Sequence, residues 1–179
     1  FINTSARSSR ETPTNFSFQS ASIIAPQQFQ VRKLPTRKWS VLDPNVKAEA
    51  VLIQSLDDEF PFFHYNTYQS WPIASISKLV VAAVVLEEIG SNKKILITDR
   101  AVNTEGTSGN LKSGEIYTSQ DLLKIMLLTS SNDAAVAFED YFGGHDIFLK
   151  MLNQKAEKLG MTQTLFQDPT GLSDLNQST

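Results

Sequence analysis

The rhythm of apolar and polar positions changes several times along the chain, and each change predicts an element. The longest apolar run, Leu79 to Leu86, reads Leu-Val-Val-Ala-Ala-Val-Val-Leu and leads into Glu87-Glu88-Ile89-Gly90. Its valine content suits a buried strand as well as a helix, and periodicity alone does not separate the two. Length favours a helix. Neither Gly nor Pro interrupts Ser75 to Ile89, and Gly90 falls where a C-cap glycine belongs. The run is far shorter than the ~20 residues a membrane span requires.

Upstream, Ala48 to Ser55 and Phe62 to Asn66 are strand-like and are separated by the charged turn Asp57-Asp58-Glu59, which predicts a hairpin. Downstream, Lys94 to Thr98 reads as a short strand. Asn103 to Gly114 reads as a long loop, with glycines at 106, 109 and 114, of the kind that borders a site. Thr118-Ser119-Gln120-Asp121 has the spacing of a capping box ahead of Leu122, Leu123, Ile125, Met126 and Leu127. That helix stops at Thr129 to Asn132. A second runs from Asp133 to Phe142 before Gly143-Gly144, and a third from Asp146 to Leu159, closed by Gly160. Thr164-Leu165-Phe166 and the turn-like Asp168-Pro169-Thr170-Gly171-Leu172 follow. Residues 1 to 40 are rich in Ser, Thr, Gln and Asn without either period, and read as a flexible polar leader or linker before a domain over 41 to 179.

Composition narrows the class only a little. With 179 residues, 41% hydrophobic and 20% charged, the chain fits one water-soluble domain. A net charge of −3 and the lack of a basic run argue against nucleic acid and against an anionic membrane surface. Zero cysteine excludes a disulfide framework, a thiol nucleophile and a thiolate metal site. His64 and His145 have no evident carboxylate partner and read as surface or hairpin residues, the acidic turn at 57 to 59 as solvated and not metal-binding, and Phe60, Phe62, Phe63 and Tyr65 as sheet packing. The chain opens at Phe1 with no signal-like segment, which leaves a preceding signal or anchor open.

The chemistry concentrates at Pro72-Ile73-Ala74-Ser75-Ile76-Ser77-Lys78, immediately before the apolar run. On a helix, Ser75 and Lys78 share a face, so a hydroxyl lies beside an amine. Burial disfavours the ammonium form, and a desolvated Lys78 would accept the Ser75 proton. Free N–H groups at the helix start would hold a developing oxyanion. Taken alone, the spacing is common: Ser91-Asn92-Lys93-Lys94 repeats Ser-x-x-Lys, and Ser-x-Asn occurs both at Ser130-Ser131-Asn132 and at Ser108-Gly109-Asn110. Context separates them. Ser75 opens a buried helix and Ser130 lies between two helices, whereas Ser91 follows a helix end and Ser108 lies in a glycine-rich loop.

Five blocks in order carry a resemblance: Pro72 to Leu79, Leu111-Lys112-Ser113-Gly114-Glu115, Leu127 to Ala135, Leu159-Gly160-Met161 and Asp168 to Leu172. Over about Lys47 to Leu172 the chain resembles the D-alanyl-D-alanine carboxypeptidases, the low-molecular-mass penicillin-binding proteins of serine peptidase family S11. The resemblance implies an α+β, β-lactamase/transpeptidase-like fold, here the N-terminal hairpin plus the helical lobe. Three further strands would lie past Thr179, and apolar surface would be exposed where they pack. It implies that Ser75 is the acylated nucleophile, Lys78 its general base, Ser130 a proton relay toward the leaving D-alanine and Asn132 a holder of the substrate backbone. The implied partners are peptidoglycan stem peptides ending in D-Ala-D-Ala and, as acylating inhibitors, β-lactam antibiotics, with no metal or organic cofactor. The implied place is extracytoplasmic, with a membrane tether outside this sequence left open.

The family's third motif, Lys-Thr-Gly or Lys-Ser-Gly on a strand after Ser-x-Asn, is not in that position; Lys112-Ser113-Gly114 has the letters but lies upstream and reads as a turn. A class A β-lactamase would need a Glu-x-x-Leu-Asn segment, which does not occur. A D,D-endopeptidase of the same family and a non-catalytic cell-wall binding domain stand as alternatives.

Overall fold

The computed structural model describes residues 35–57, 59–106 and 108–179. Most of the polar leader therefore lies outside the described residues, as does Asp58 of the hairpin turn. The chain divides at Asn45/Val46 into two units. Of the first, residues 35–45 are described, and there Arg37 pairs with Asp43 at 2.8 Å and lies over the ring of Trp39.

The second unit is built on one long helix, α1 (Ser77–Glu88), entered through a 3-10 turn over Ala74–Ile76. The helix reading of the valine-rich run holds, but Ser75 sits on the tighter turn that feeds the helix and not inside it. An uninterrupted apolar run suits a helix that several others cover, and α1 packs against α3 (Ser119–Thr129), α4 (Asn132–Tyr141) and α5 (His145–Lys158). Val81 and Val85 are fully buried there with Leu122, Met126, Ala134, Phe138, Phe148 and Leu152, and these form the core. Each such aliphatic side chain contributes about 1.5–3 kcal/mol by leaving water.

Caps fix the helix starts. The Thr118 hydroxyl accepts the Asp121 N–H at 3.1 Å and donates to the Asp121 carboxylate, so the predicted capping box opens α3. The Ser131 hydroxyl accepts the Ala134 N–H at 3.0 Å and opens α4. Between α3 and α4 the chain turns through Ser130, whose φ of 57° is left-handed.

Among the described residues, three two-stranded antiparallel pieces accompany the helices. The predicted hairpin forms from β1 (Val51–Gln54) and β2 (Pro61–Tyr65), pairing Val51 with Tyr65 and Ile53 with Phe63. Phe62 and Tyr65 stand exposed, because this ladder has no third strand among the described residues, so the expected aromatic packing is only partial. The short β3 (Trp71–Pro72), just before Ser75, pairs with β6 (Gln177–Ser178). The strand β4 (Lys94–Leu96) pairs with β5 (Ile116–Thr118), and a one-turn helix α2 (Asp99–Val102) lies between them. Lys112 to Glu115 is the turn it was read to be, with the Glu115 N–H bonded to the Lys112 carbonyl at 3.1 Å.

His145 differs from expectation. It is half exposed, but its Nδ1 lies 3.3 Å from the buried Glu139, which Arg100 also contacts at 2.6 Å. On the remaining side of α1, Ile76, Leu79 and Leu86 stay exposed, and Leu79 with Trp71, Ile73, Leu159, Met161 and Phe166 lines an apolar groove of about 500 Å³. No described helix is long and apolar enough to cross a membrane.

Candidate active site

Ser75 is exposed on its 3-10 turn, while Lys78, one residue into α1, is 2% exposed. The turn places them together: Lys78 Nζ lies 3.0 Å from Ser75 Oγ. This separation serves a bond in either direction, with an ammonium donating to the hydroxyl or, after proton loss, the hydroxyl donating to the amine. Burial pushes the Lys78 pKa down, and the negative charge of Asp168 opposes that only in part. A lysine so placed loses its proton more readily than one in water, which is what a base for a serine hydroxyl needs.

The second contact of Lys78 was not legible in the sequence. Its Nζ donates to the Thr170 carbonyl at 2.5 Å, across a separation of 92 residues. Thr170 belongs to the loop over 168–176, and this loop presses on the nucleophile's own turn. A Cβ built on Gly171 would come within 2.1 Å of the Ala74 carbonyl oxygen and 2.8 Å of the Ser75 nitrogen, so only glycine fits there, at a φ of 84°. Ala74 in turn adopts φ 45°, a left-handed conformation that an alanine reaches only when its surroundings impose it.

Ser130 and Asn132 occupy the junction between α3 and α4. Asn132 is buried and donates from Nδ2 to the Glu105 carbonyl at 2.8 Å, so the long loop before β5 wraps this junction. The lock is Asp133. Its carboxylate accepts from the Ser108 hydroxyl and the Gly109 N–H, each at 2.9 Å, and from the Ser131 hydroxyl. Burial alone would raise its pKa, but these bonds outweigh burial and hold it below the ordinary carboxylate value. The Ser108-Gly109-Asn110 decoy thus serves as a strap on the Ser130 to Asn132 segment. Among the described residues no three His, Asp or Glu side chains gather to hold a metal ion.

The arrangement therefore pairs an exposed hydroxyl with a desolvated amine at the start of a buried helix, and braces a Ser-x-Asn junction between α3 and α4, which both pack on that helix. A family model described as D-alanyl-D-alanine carboxypeptidase, peptidase S11, matches residues 38–179. The chain belongs to this S11 family. The chain is similar to a D-alanyl-D-alanine endopeptidase of Escherichia coli, at 32% identity over 139 residues, covering 76% of this chain and 45% of that protein. The D-alanyl-D-alanine carboxypeptidase DacF of Bacillus subtilis is 30% identical over 157 residues, covering 84% and 39%. The crystal structure of a D-alanyl-D-alanine carboxypeptidase from Mycobacterium tuberculosis superposes with a TM-score of 0.74 at 30% identity, covering 78% of this chain and 54% of that one. The fold is thus that of the penicillin-binding transpeptidases, and the chain spans less than half the length of these two curated relatives.

Proposed function

We propose that this chain carries the nucleophile half of a serine-type D-Ala-D-Ala carboxypeptidase acting on peptidoglycan stem peptides. The observation that carries the reading is the 3.0 Å contact between exposed Ser75 and buried Lys78. In this reading neutral Lys78 takes the Ser75 proton as Ser75 Oγ attacks the carbonyl of the penultimate D-alanine. The Ser75 backbone N–H helps hold the oxyanion. Ser130 gives its hydroxyl proton to the nitrogen of the departing D-alanine as the C–N bond breaks and is reprotonated from Lys78, which returns to its neutral form, and Asn132 positions the peptide backbone. Water then attacks the ester, returns the proton through Lys78 and frees Ser75. β-Lactams acylate the same hydroxyl, and the substrate places the protein outside the cytoplasm.

The test is intact-mass analysis of the full-length protein after incubation with penicillin. A covalent adduct that is absent from Ser75→Ala is the expected result. A folded full-length protein that forms no adduct overturns the reading in favour of a non-catalytic wall-binding role. The relatives named as endopeptidases support a second reading, cleavage of D-Ala cross-links instead of terminal trimming. Release of free D-alanine from a pentapeptide, set against scission of a cross-linked muropeptide dimer, separates the two.

A further inference from the structure

The loop over 168–176 meets the nucleophile's turn at three separate points. Lys78 Nζ donates to the Thr170 carbonyl, Gly171 is pressed on Ala74 and Ser75, and the Ile73 N–H donates to the Asn176 carbonyl at 2.9 Å. Each point touches a residue within three positions of Ser75. What holds the loop in this shape is one carboxylate and one amide.

The Asp168 carboxylate closes the loop on itself. Its Oδ1 accepts the Thr170 N–H at 2.7 Å, the Thr170 hydroxyl at 2.6 Å and the Gly171 N–H at 2.7 Å, and its Oδ2 accepts the Ser173 N–H at 2.8 Å. The amide of fully buried Asn176 completes the frame. It donates to Asp168 Oδ2 at 3.1 Å, and its Oδ1 accepts the Gln167 N–H at 2.6 Å. Without these bonds, the Thr170 and Gly171 N–H groups would lose their acceptor, and the carbonyl facing Lys78 would lose its support.

Building on the Ser75–Lys78 reading above, we propose that Asp168 is a positioning residue for that pair, holding the Thr170 carbonyl on Lys78 and Gly171 against the nucleophile's turn. Asp168 itself need not touch substrate. Hydrogen bonds from Thr170, Ser173 and Gly171 outweigh the effect of its burial and keep it ionised. Its charge is also felt at Lys78, where it favours the protonated form against desolvation. A neutral replacement therefore acts twice: it loosens the loop and it lets Lys78 lose its proton at lower pH.

The test compares Asp168→Asn, Asp168→Glu and Asn176→Ala with the parent full-length protein. One readout is the rate constant of acylation by a fluorescent penicillin as a function of pH, and the other is titration of Lys78 by NMR of carbon-13-labelled lysine. Asp168→Asn is expected to slow acylation by up to about 100-fold, the scale of a misplaced reacting group. It also moves the acidic limb of the profile and the Lys78 titration to lower pH. Asn176→Ala slows acylation with the limb unmoved, and Asp168→Glu restores the limb. A purely structural role would leave the limb where it is. Asp168→Asn with the parent rate, limb and Lys78 titration overturns the proposal. If the parent forms no adduct, the catalytic reading fails, and the Lys78 titration alone decides whether Asp168 governs that lysine. If Asp168→Asn shows no cooperative melting, Asn176→Ala decides: a parental rate overturns the proposal and a slowed one supports it.

Discussion

Ser75 and Lys78 were recognisable as a pair because their relation is short-range: three positions along one helical turn put two side chains on the same face. The decoy at Ser91 shows what locality omits. The Ser91 carbonyl accepts the Gln120 N–H at the start of α3, and Lys94 lies on β4 with an exposed side chain, so that spacing yields no pair. Gly171 illustrates the opposite case, a residue whose necessity appears only in three dimensions. Gly171→Ala would force a Cβ into the Ala74 carbonyl at a positive φ, and is expected to cost at least about 1–3 kcal/mol. Urea denaturation of the variant and parent measures the loss, and a stability within error of the parent would show that the turn yields freely.

At the scale of elements, the longer helices α3, α4 and α5 were placed from the sequence to within a residue or two. Thr118 and Ser131 satisfy backbone N–H groups that no earlier turn can satisfy, and both signals are short-range. Thr118→Ala is expected to destabilise the domain by about 0.5–2 kcal/mol, read as a lowered denaturation midpoint with an unchanged slope. The elements that escaped were β3, β5, β6 and α2, each only two to four residues long. Two or three residues hold no period, and whether they pair depends on a partner remote in sequence: Trp71 on Ser178, Ile95 on Tyr117.

For the whole molecule, ionised carboxylates that are buried or half-buried set a pH dependence. Asp133 and Asp168 both have folded-state pKa values below the 3.8 of an unperturbed aspartate. Their contribution to stability is then fully present above pH 3.8 and is lost as pH falls through the lower folded-state values, because the unfolded chain takes up these protons first. The urea midpoint of the parent is expected to fall across that acid window. Asp133→Asn should be less stable at neutral pH and should show a flatter acid decline, and an equally steep decline in the variant would assign the effect to other carboxylates.

The sequence by itself determined what depends on neighbours along the chain: the hairpin, the capped helices, the apolar run that becomes α1, and the Ser75–Lys78 pair. The ordered blocks from Pro72 to Leu172 added the S11 family and the expected roles of Ser130 and Asn132. Only the tertiary structure decided what surrounds those residues. The carbonyl on Lys78 comes from Thr170, the strap on Asn132 from Glu105, and the frame behind Ser75 from Asp168 and Asn176. The Thr170–Lys78 and Glu105–Asn132 contacts join positions 92 and 27 residues apart, so no short window of sequence contains both partners, and their chemistry emerges only when the core folds.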